Sequence, residues 1–372
     1  MLDFLEVDRA FLAENEARIL DLETQIAGLE HTISVLRAAR QPVQDRVDSY
    51  KYPVLTLPNE IVAEIFIRFL PTYPSPHPLT GTHSPTCLTH VCRQWREIAH
   101  TTPALWRVID LTRPTEQYNA EKIAALVNLW SGRSGCCPMA VHLTDGNEPR
   151  SVFPAVSHHR ARWEHLTLDL NTTEYLDAIQ GSFPSLKTLT VHFSSLVRDA
   201  PVVSFQDLPL LHTALLNDLH MVHIVLPWSQ LTSLVLMCIN SEHCMSVLQQ
   251  TSQLVRCELH LWRPQKDLTE GSVHLLHLET LAFQMDTFID VNFFRSFVTP
   301  ALLYLRLPEA LLGSLEPQPD PVESLTSFIL KSGCQLRKLK IADASVSEDE
   351  YRDAFPSIAD ISTGKYNDYE WE

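Results

Sequence analysis

Residues 183–191 read FPSLKTLTV, and the spacing inside that stretch recurs along the second half of the chain. Leu186, Leu189 and Val191 stand at i, i+3 and i+5, just after Pro184. The same spacing joins Trp163, Leu166 and Leu168, then Leu211, Ala214 and Leu216, then Leu231, Leu234 and Leu236. It returns in Leu254, Cys257 and Leu259, in Leu278, Leu281 and Phe283, in Leu302, Leu305 and Leu307, and in Leu336, Leu339 and Ile341. Successive triplets start 23, 25, 20, 23, 24, 24 and 34 residues apart. One such triplet arises easily by chance in an apolar chain, so the near-constant period carries the inference. A step of this length accommodates a short strand, a turn and a helix returning the chain to the next strand. The prolines ahead of the triplet in FPSLKTLTV, LPLLHTALL (208–216) and TPALLYLRL (299–307) suit the helix-to-strand turn. The 34-residue step predicts an inserted loop around EPQPDP (316–321), and FPSIADIS (355–362) makes a weak ninth unit behind a helix at SEDEYRDA (347–354).

This period resembles that of leucine-rich repeats, and it predicts an α/β repeat, a leucine-rich-repeat-like solenoid over residues 113–372. The asparagine or cysteine that such repeats carry past the last leucine is clear only as Asn171; Ser194, Leu219 and Ala310 hold that place elsewhere, so the repeats are degenerate. A non-repeat α/β fold is the alternative. Strand alternation sends i+2 and i+4 to the face opposite the core. That face then holds Thr188, Thr190, Arg256, Glu258, Tyr304, Arg306, Lys338 and Lys340, with His192 and His260 at the following outward position. The candidate substrate-binding residues are therefore His192, Arg256, His260, Tyr304, Arg306, Lys338 and Lys340, a mildly basic stripe suited to an acidic partner segment. A solvated face with no partner is the plainer reading.

Composition narrows the classes. The 372 residues carry a formal charge of −16, which argues against a nucleic-acid or anionic-membrane footprint. Residues 342–372 hold nine acids against Arg352 and Lys365, which reads as an acidic C-terminal tail. No apolar run approaches the ~18 residues that span a bilayer. The opening MLDFLEVDRAFLAENE is acidic where a signal peptide would be basic and then apolar. Eight scattered cysteines without a CxxC pair suit a reduced intracellular protein, cytoplasmic or nuclear.

Residues 1–52 predict a helix. Ile19, Leu22, Ile26, Leu29, Ile33 and Leu36 step by 3 and 4 alternately, the a/d seam of a heptad, with Glu23, Glu30 and Arg37 on its flanks. Pro42 is expected to end the run, which gives a coiled-coil-like helix over 10–40. The seam has two uses: a homodimer through residues 10–40, or a helix folded back on its own chain.

Residues 57–66 read LPNEIVAEIF, followed later by CLTHVCRQWREIA (87–99) and TPALW (102–106). Pro58 suits a first helical residue and Glu60 the first turn, while Ile61, Ile65 and Phe69 share a face. Leu88, Val91, Cys92 and Trp95 form a second stripe at i, i+3, i+4 and i+7. Between the two lies PTYPSPHPLTGTHSP (71–85), expected to be a surface excursion rather than a helix. These short apolar helices cannot build a core alone, so they need a partner surface.

The three matches in order, Leu-Pro-x-Glu-Ile, Val-Cys-x-x-Trp and Pro-x-Leu-Trp, resemble the F-box. LWRVIDLT and SGRSGCCPMAVHL are similar to the segments C-terminal to the box in fungal F-box proteins with a heptad-bearing N-terminus. The long 71–85 loop departs from the compact pattern. The resemblance implies a three-helix F-box over 53–112 that docks on the Skp-type linker subunit of a cullin–RING ubiquitin ligase. It assigns that contact to Leu57, Pro58, Ile61, Ile65, Val91, Trp95, Leu105 and Trp106, some of which must instead pack internally.

Catalytic signals are thin. There is no HExxH, H-x-E…C-x-x-C or G-x-S-x-G, no glycine-rich phosphate loop, and no implied metal or cofactor. His243 and Cys244 are adjacent but point apart in any regular element. The expectation is a non-enzymatic substrate-recognition adaptor, bound to the linker and through it a cullin, holding an unidentified substrate protein on its repeats. The alternatives are an interaction scaffold outside any ligase and a cysteine hydrolase.

Overall fold

The computed structural model describes residues 2–50, 53–112, 119–144, 152–171, 181–193, 203–205, 207–217, 224–239, 241–261, 271–285, 291–313 and 320–365. The chain forms two compact units, Met1–Val62 and Ala63–Glu372.

The first unit is dominated by one long helix, α1 (Leu2–Ser49), of 48 residues. Pro42 lies inside it and does not end it, contrary to the sequence expectation. The proline removes one N–H from the ladder, and flanking turns carry the helix past it through side-chain amide bonds, Gln41 to Asp45 at 2.8 Å and Gln44 to Asp48 at 2.9 Å. A 3₁₀ turn at Pro53–Thr56 comes next, and then the start of α2 (Asn59–Phe69).

The second unit contains, after the rest of α2, the short α3 (Pro85–Leu88) and α4 (Arg93–His100), and then, among the described residues, fifteen strands. In chain order these are β1 (Val108–Asp110), β2 (Met139–Thr144), β3 (Trp163–Leu170), β4 (Thr188–Phe193), β5 (Val203–Ser204), β6 (Thr213–Asn217), β7 (Ile224–Val225) and β8 (Ser233–Ile239). They continue with β9 (Arg256–Leu261), β10 (Val273–His274), β11 (Thr280–Met285), β12 (Phe297–Val298), β13 (Tyr304–Pro308), β14 (Lys338–Ala342) and β15 (Asp360–Gly364).

Eleven of them make one parallel sheet in the order β1-β2-β3-β4-β6-β8-β9-β11-β13-β14-β15. The remaining four make two small parallel pairs, β5 with β7 and β10 with β12. Each strand of the large sheet is laid beside its predecessor, so the sheet grows in one direction along the chain. Parallel neighbours need crossover connections, and helices at Ala120–Arg133, Ser241–Leu248, Pro321–Ser332 and Glu348–Ala354 lie in them. Local chemistry fixes those helices. Asn119 Oδ1 caps the first by accepting from Lys122 N, while Asp320 and Gly333 (φ 66°) begin and end Pro321–Ser332.

All eight triplets point into the core: every one of their residues is 5% exposed or less. The ladders stack them in register, running Leu166, Leu189, Ala214, Leu234, Cys257, Leu281, Leu305, Leu339 and finally Ile361. A one-residue slip would turn every one of these outward, so burial locks the register. Phe283, Phe293 and Phe297 pack edge to face at 5.3–6.3 Å, and Phe294 stacks on Phe328 at 4.4 Å.

Four sequence expectations change here. The sheet begins two strands before the first triplet, at β1 and β2, within the end of the expected box and the segment after it. The 34-residue step contains the helix Pro321–Ser332; residues 314–319 of the expected loop lie outside the described residues. The acidic end is folded as far as Gly364, where β15 pairs with β14; residues 366–372 lie outside the described residues, as do Ser194 and Leu219. Finally, Leu88, Val91, Cys92 and Trp95 do not share a helix. The chain breaks at Cys92, whose extended backbone (φ −156°) makes it the N-cap of α4, its Sγ accepting from Trp95 N at 3.4 Å. No helix among the described residues is long and apolar enough to cross a membrane.

Candidate protein-docking site

α2 is apolar on two faces. Pro58 O receives Ile61 N and Val62 N, both at 3.1 Å, which starts the helix, and Glu60 sits in the first turn. Val62 and Phe66 are buried, whereas Ile61, Ile65 and Phe69 are 49%, 47% and 47% exposed. Leu57 is half-buried and Pro58 exposed. Single exposed leucines are ordinary on a surface; a helix that turns a row of large apolar groups outward at i, i+4 and i+8 is not. Phe69 and the neighbouring exposed Ile67 were absent from the sequence assignment, although Phe69 completes the spacing of Ile61 and Ile65.

Val91 is 60% exposed in the turn before α4. Trp95 is half-buried, its ring meeting Phe66 edge on at 4.9 Å. Leu105 and Trp106 have no exposed surface, and this removes both from any docking face. Trp106 Nε1 donates to Ala99 O at 2.7 Å, its ring packs on Trp130 at 5.2 Å, and the Arg133 guanidinium lies 4.5 Å above it. Their place in a 3₁₀ turn (Pro103–Trp106) leading into β1 explains this, since the turn must plug the first end of the core.

The proline-rich segment 71–85 contains no helix before α3, but it is no free excursion. His77, Leu79 and Ser84 are buried. Tyr73 donates to Glu164 Oε2 at 2.9 Å under the Arg107 guanidinium (3.7 Å), and Pro74 O meets His142 Nε2 at 3.2 Å. Burial, then the Glu164 hydrogen bond, push the Tyr73 hydroxyl well up, so it stays a donor. Burial alone would raise the Glu164 carboxyl; bonds from Lys187 (2.6 Å) and Tyr73 outweigh it and hold it low. Desolvation lowers both His77 and His142, leaving neutral rings against the sheet edge.

The outward face of the sheet carries the second set of candidates. Arg256, Thr280, Tyr304, Lys338 and Asp360 form one cross-strand row, and Ala282, Arg306, Lys340 and Ser362 the next. Lys338 Nζ reaches Asp360 at 3.1 Å. Arg306 is only 4% exposed beside a buried Ala282, so it is not part of an open surface; a side chain there is enclosed by its neighbours whatever the alternation implies. His260 bonds Glu258. His192 stands on β4, three strand positions from His260 on β9, or about 14 Å at the usual spacing, so it does not join the basic group. Tyr304, Lys338 and Lys340 remain together on adjacent strands, with Arg256 at the far end of the same row, three strand positions from Lys338.

Nothing assembles into a catalytic constellation among the described residues. Cys244 is wholly buried and its thiol pushed well up by burial, the reverse of an activated nucleophile. Among the described residues no group of three or more His, Cys, Asp or Glu is placed to hold a metal ion.

Residues 54–112 match the F-box-like family model. They form an F-box-like domain. No curated protein matches the chain. The matched span begins beside the 3₁₀ turn at Pro53 and ends just past β1, so the last strand of the F-box-like domain is the first strand of the sheet. Domains of this kind point in general to a ubiquitin-ligase adaptor role, are typically non-enzymatic, and typically bind Skp-type subunits.

Proposed function

We propose that this protein is the substrate-recognition subunit of a Skp–cullin–F-box ubiquitin ligase. The F-box-like domain docks on the linker through Leu57, Pro58, Ile61, Ile65, Phe69, Val91 and the edge of Trp95, and the linker brings the cullin. The large sheet acts as a leucine-rich-repeat-like platform for a substrate protein; its strand-by-strand order and in-register apolar ladder support that reading. No residue of this chain has to react. Holding a substrate lysine near the charged conjugating enzyme raises its effective concentration, and that is the whole catalytic contribution. The observation that carries the proposal is the F-box-like match coinciding with large aliphatic groups turned outward on α2. Purification of the full chain from cells should bring the Skp-type linker and a cullin in comparable amounts. Recovery without either would favour an interaction scaffold outside any ligase.

The substrate side has its own test. Arg256→Glu with Lys340→Glu reverses two cations on one face without touching the core. Proteins cross-linked to the wild-type sheet face should be lost from the variant, with linker capture unchanged. An identical set of captured proteins would leave this face without a role.

A further inference from the structure

We infer that α1 pairs with the α1 of a second copy, parallel and in register, as a two-stranded coiled coil running from Leu5 to Val47. The central seam residues are 47–63% exposed. Because the helix runs through Pro42, the same heptad extends beyond the six positions evident in sequence. Leu5 and Leu12 add a positions before the seam, and Val43 and Val47 add a d and an a position after it. All four are exposed. Pro42 falls at an outward c position, where its ring does not meet a partner helix.

Three features select a second copy over another occupant. The central a positions are all isoleucine (Ile19, Ile26, Ile33) and the central d positions all leucine (Leu22, Leu29, Leu36), the β-branched-then-leucine order that favours two parallel strands. In a parallel pair each g position faces the e position five residues on. Arg18 then meets Glu23 of the partner twice over, while Gln25 faces Glu30 and Thr32 faces Arg37, with no like-charge pair. An antiparallel pair with full overlap sets Glu23 against Glu30 at both ends of the same layers. Asn15 at d meets its own copy only in the in-register parallel pair, which fixes the register; the charged seam positions Asp8 and Arg40 lie outside the Leu12–Leu36 stretch and weaken the pairing at its two ends. If the adaptor reading also holds, the dimer presents two substrate platforms on one particle.

Light scattering of the full chain at micromolar concentration should give twice 42.3 kDa. Leu22→Glu with Leu29→Glu, both on the exposed seam, should return it to 42.3 kDa with the melting of the sheet unchanged. Under mild oxidation Ile26→Cys should form a covalent dimer well above the wild-type background. A mixture of Ile26→Cys and Leu29→Cys chains should give little heterodimer. A monomeric wild type, or a dimer that survives both glutamates, overturns the pairing. Preferential cross-linking of position 26 to position 29 overturns the parallel orientation. Failure to recover linker or cullin bears on the adaptor reading alone and leaves the mass measurement untouched.

Discussion

Ile65→Glu with Val91→Glu abolishes capture of a Skp-type linker while leaving circular dichroism and melting unchanged, and Trp106→Ala has the opposite profile. The first pair sits on exposed positions, so the folded chain loses no packing from the change. In the complex each aliphatic group contributes about 1.5–3 kcal/mol by leaving water, and a carboxylate placed there must be desolvated without a partner. Affinity should fall at least about 100-fold, ~2.7 kcal/mol. Trp106 has nothing to offer a partner. Its removal empties an indole-sized space between Ala99, Trp130 and Arg133 and costs about 3–5 kcal/mol, a fall in melting temperature on the order of 5–10 °C. Linker binding within twofold of wild type for the glutamate pair would show that α2 does not dock.

This contrast marks what a sequence can and cannot say about the box. Both Ile65 and Trp106 fit the same family pattern, and pattern alone gives no means of ranking them. What separates them is the strand that closes the box. Trp106, Ile109 and Leu111 carry the same i, i+3, i+5 spacing as the later triplets, all three are buried, and Ile109 pairs with Val141, which pairs with Leu166. The repeat was therefore readable at residue 106, but the tryptophan already had a role in another pattern, and one residue was serving both.

The later triplets were legible because burial of a parallel sheet demands an apolar residue at each inward position, and that demand repeats. The open face was less so. Alternation says which way Arg306 points but not that Ala282 beside it is enclosed. The proline-rich segment differs from its expectation for a similar reason: Tyr73 is anchored by Glu164, 91 residues away, and no local signal records such a bond. Cys92 as a helix N-cap is also hard to foresee, since a thiol is a weak acceptor compared with the hydroxyls and carboxylates that usually hold that place.

The second large effect falls at Glu309, a residue with no sequence signature. It comes directly after β13, is 1% exposed, and gathers four donors from the segment after β14. Ser345 N donates at 2.6 Å, Val346 N at 3.0 Å and Tyr351 OH at 2.8 Å, with the Ser345 hydroxyl also in contact. Burial first, and the carboxylate second, push the Tyr351 hydroxyl well up, so it remains a donor at any ordinary pH. The segment it holds begins at Asp343, whose φ of 50° is left-handed and costs a non-glycine residue on the order of 1 kcal/mol. One carboxylate thus offsets that strain and joins β13 to the helix Glu348–Ala354. Glu309→Ala strands the buried Tyr351 hydroxyl, at about 1–3 kcal/mol, and frees two amides in a turn that is partly open to water, so the sum should reach roughly 2–4 kcal/mol. Tyr351→Phe removes only one donor and should cost about 1 kcal/mol. In the double variant the phenol is no longer left unmatched, so the two losses should fall short of additive. Urea titration reads the magnitudes, and amide exchange at Ser345 and Val346 reads the place. Exchange there should quicken in Glu309→Ala before the rest of the sheet does; unchanged protection at these two amides would mean that the turn holds itself and that the glutamate serves only to fill space.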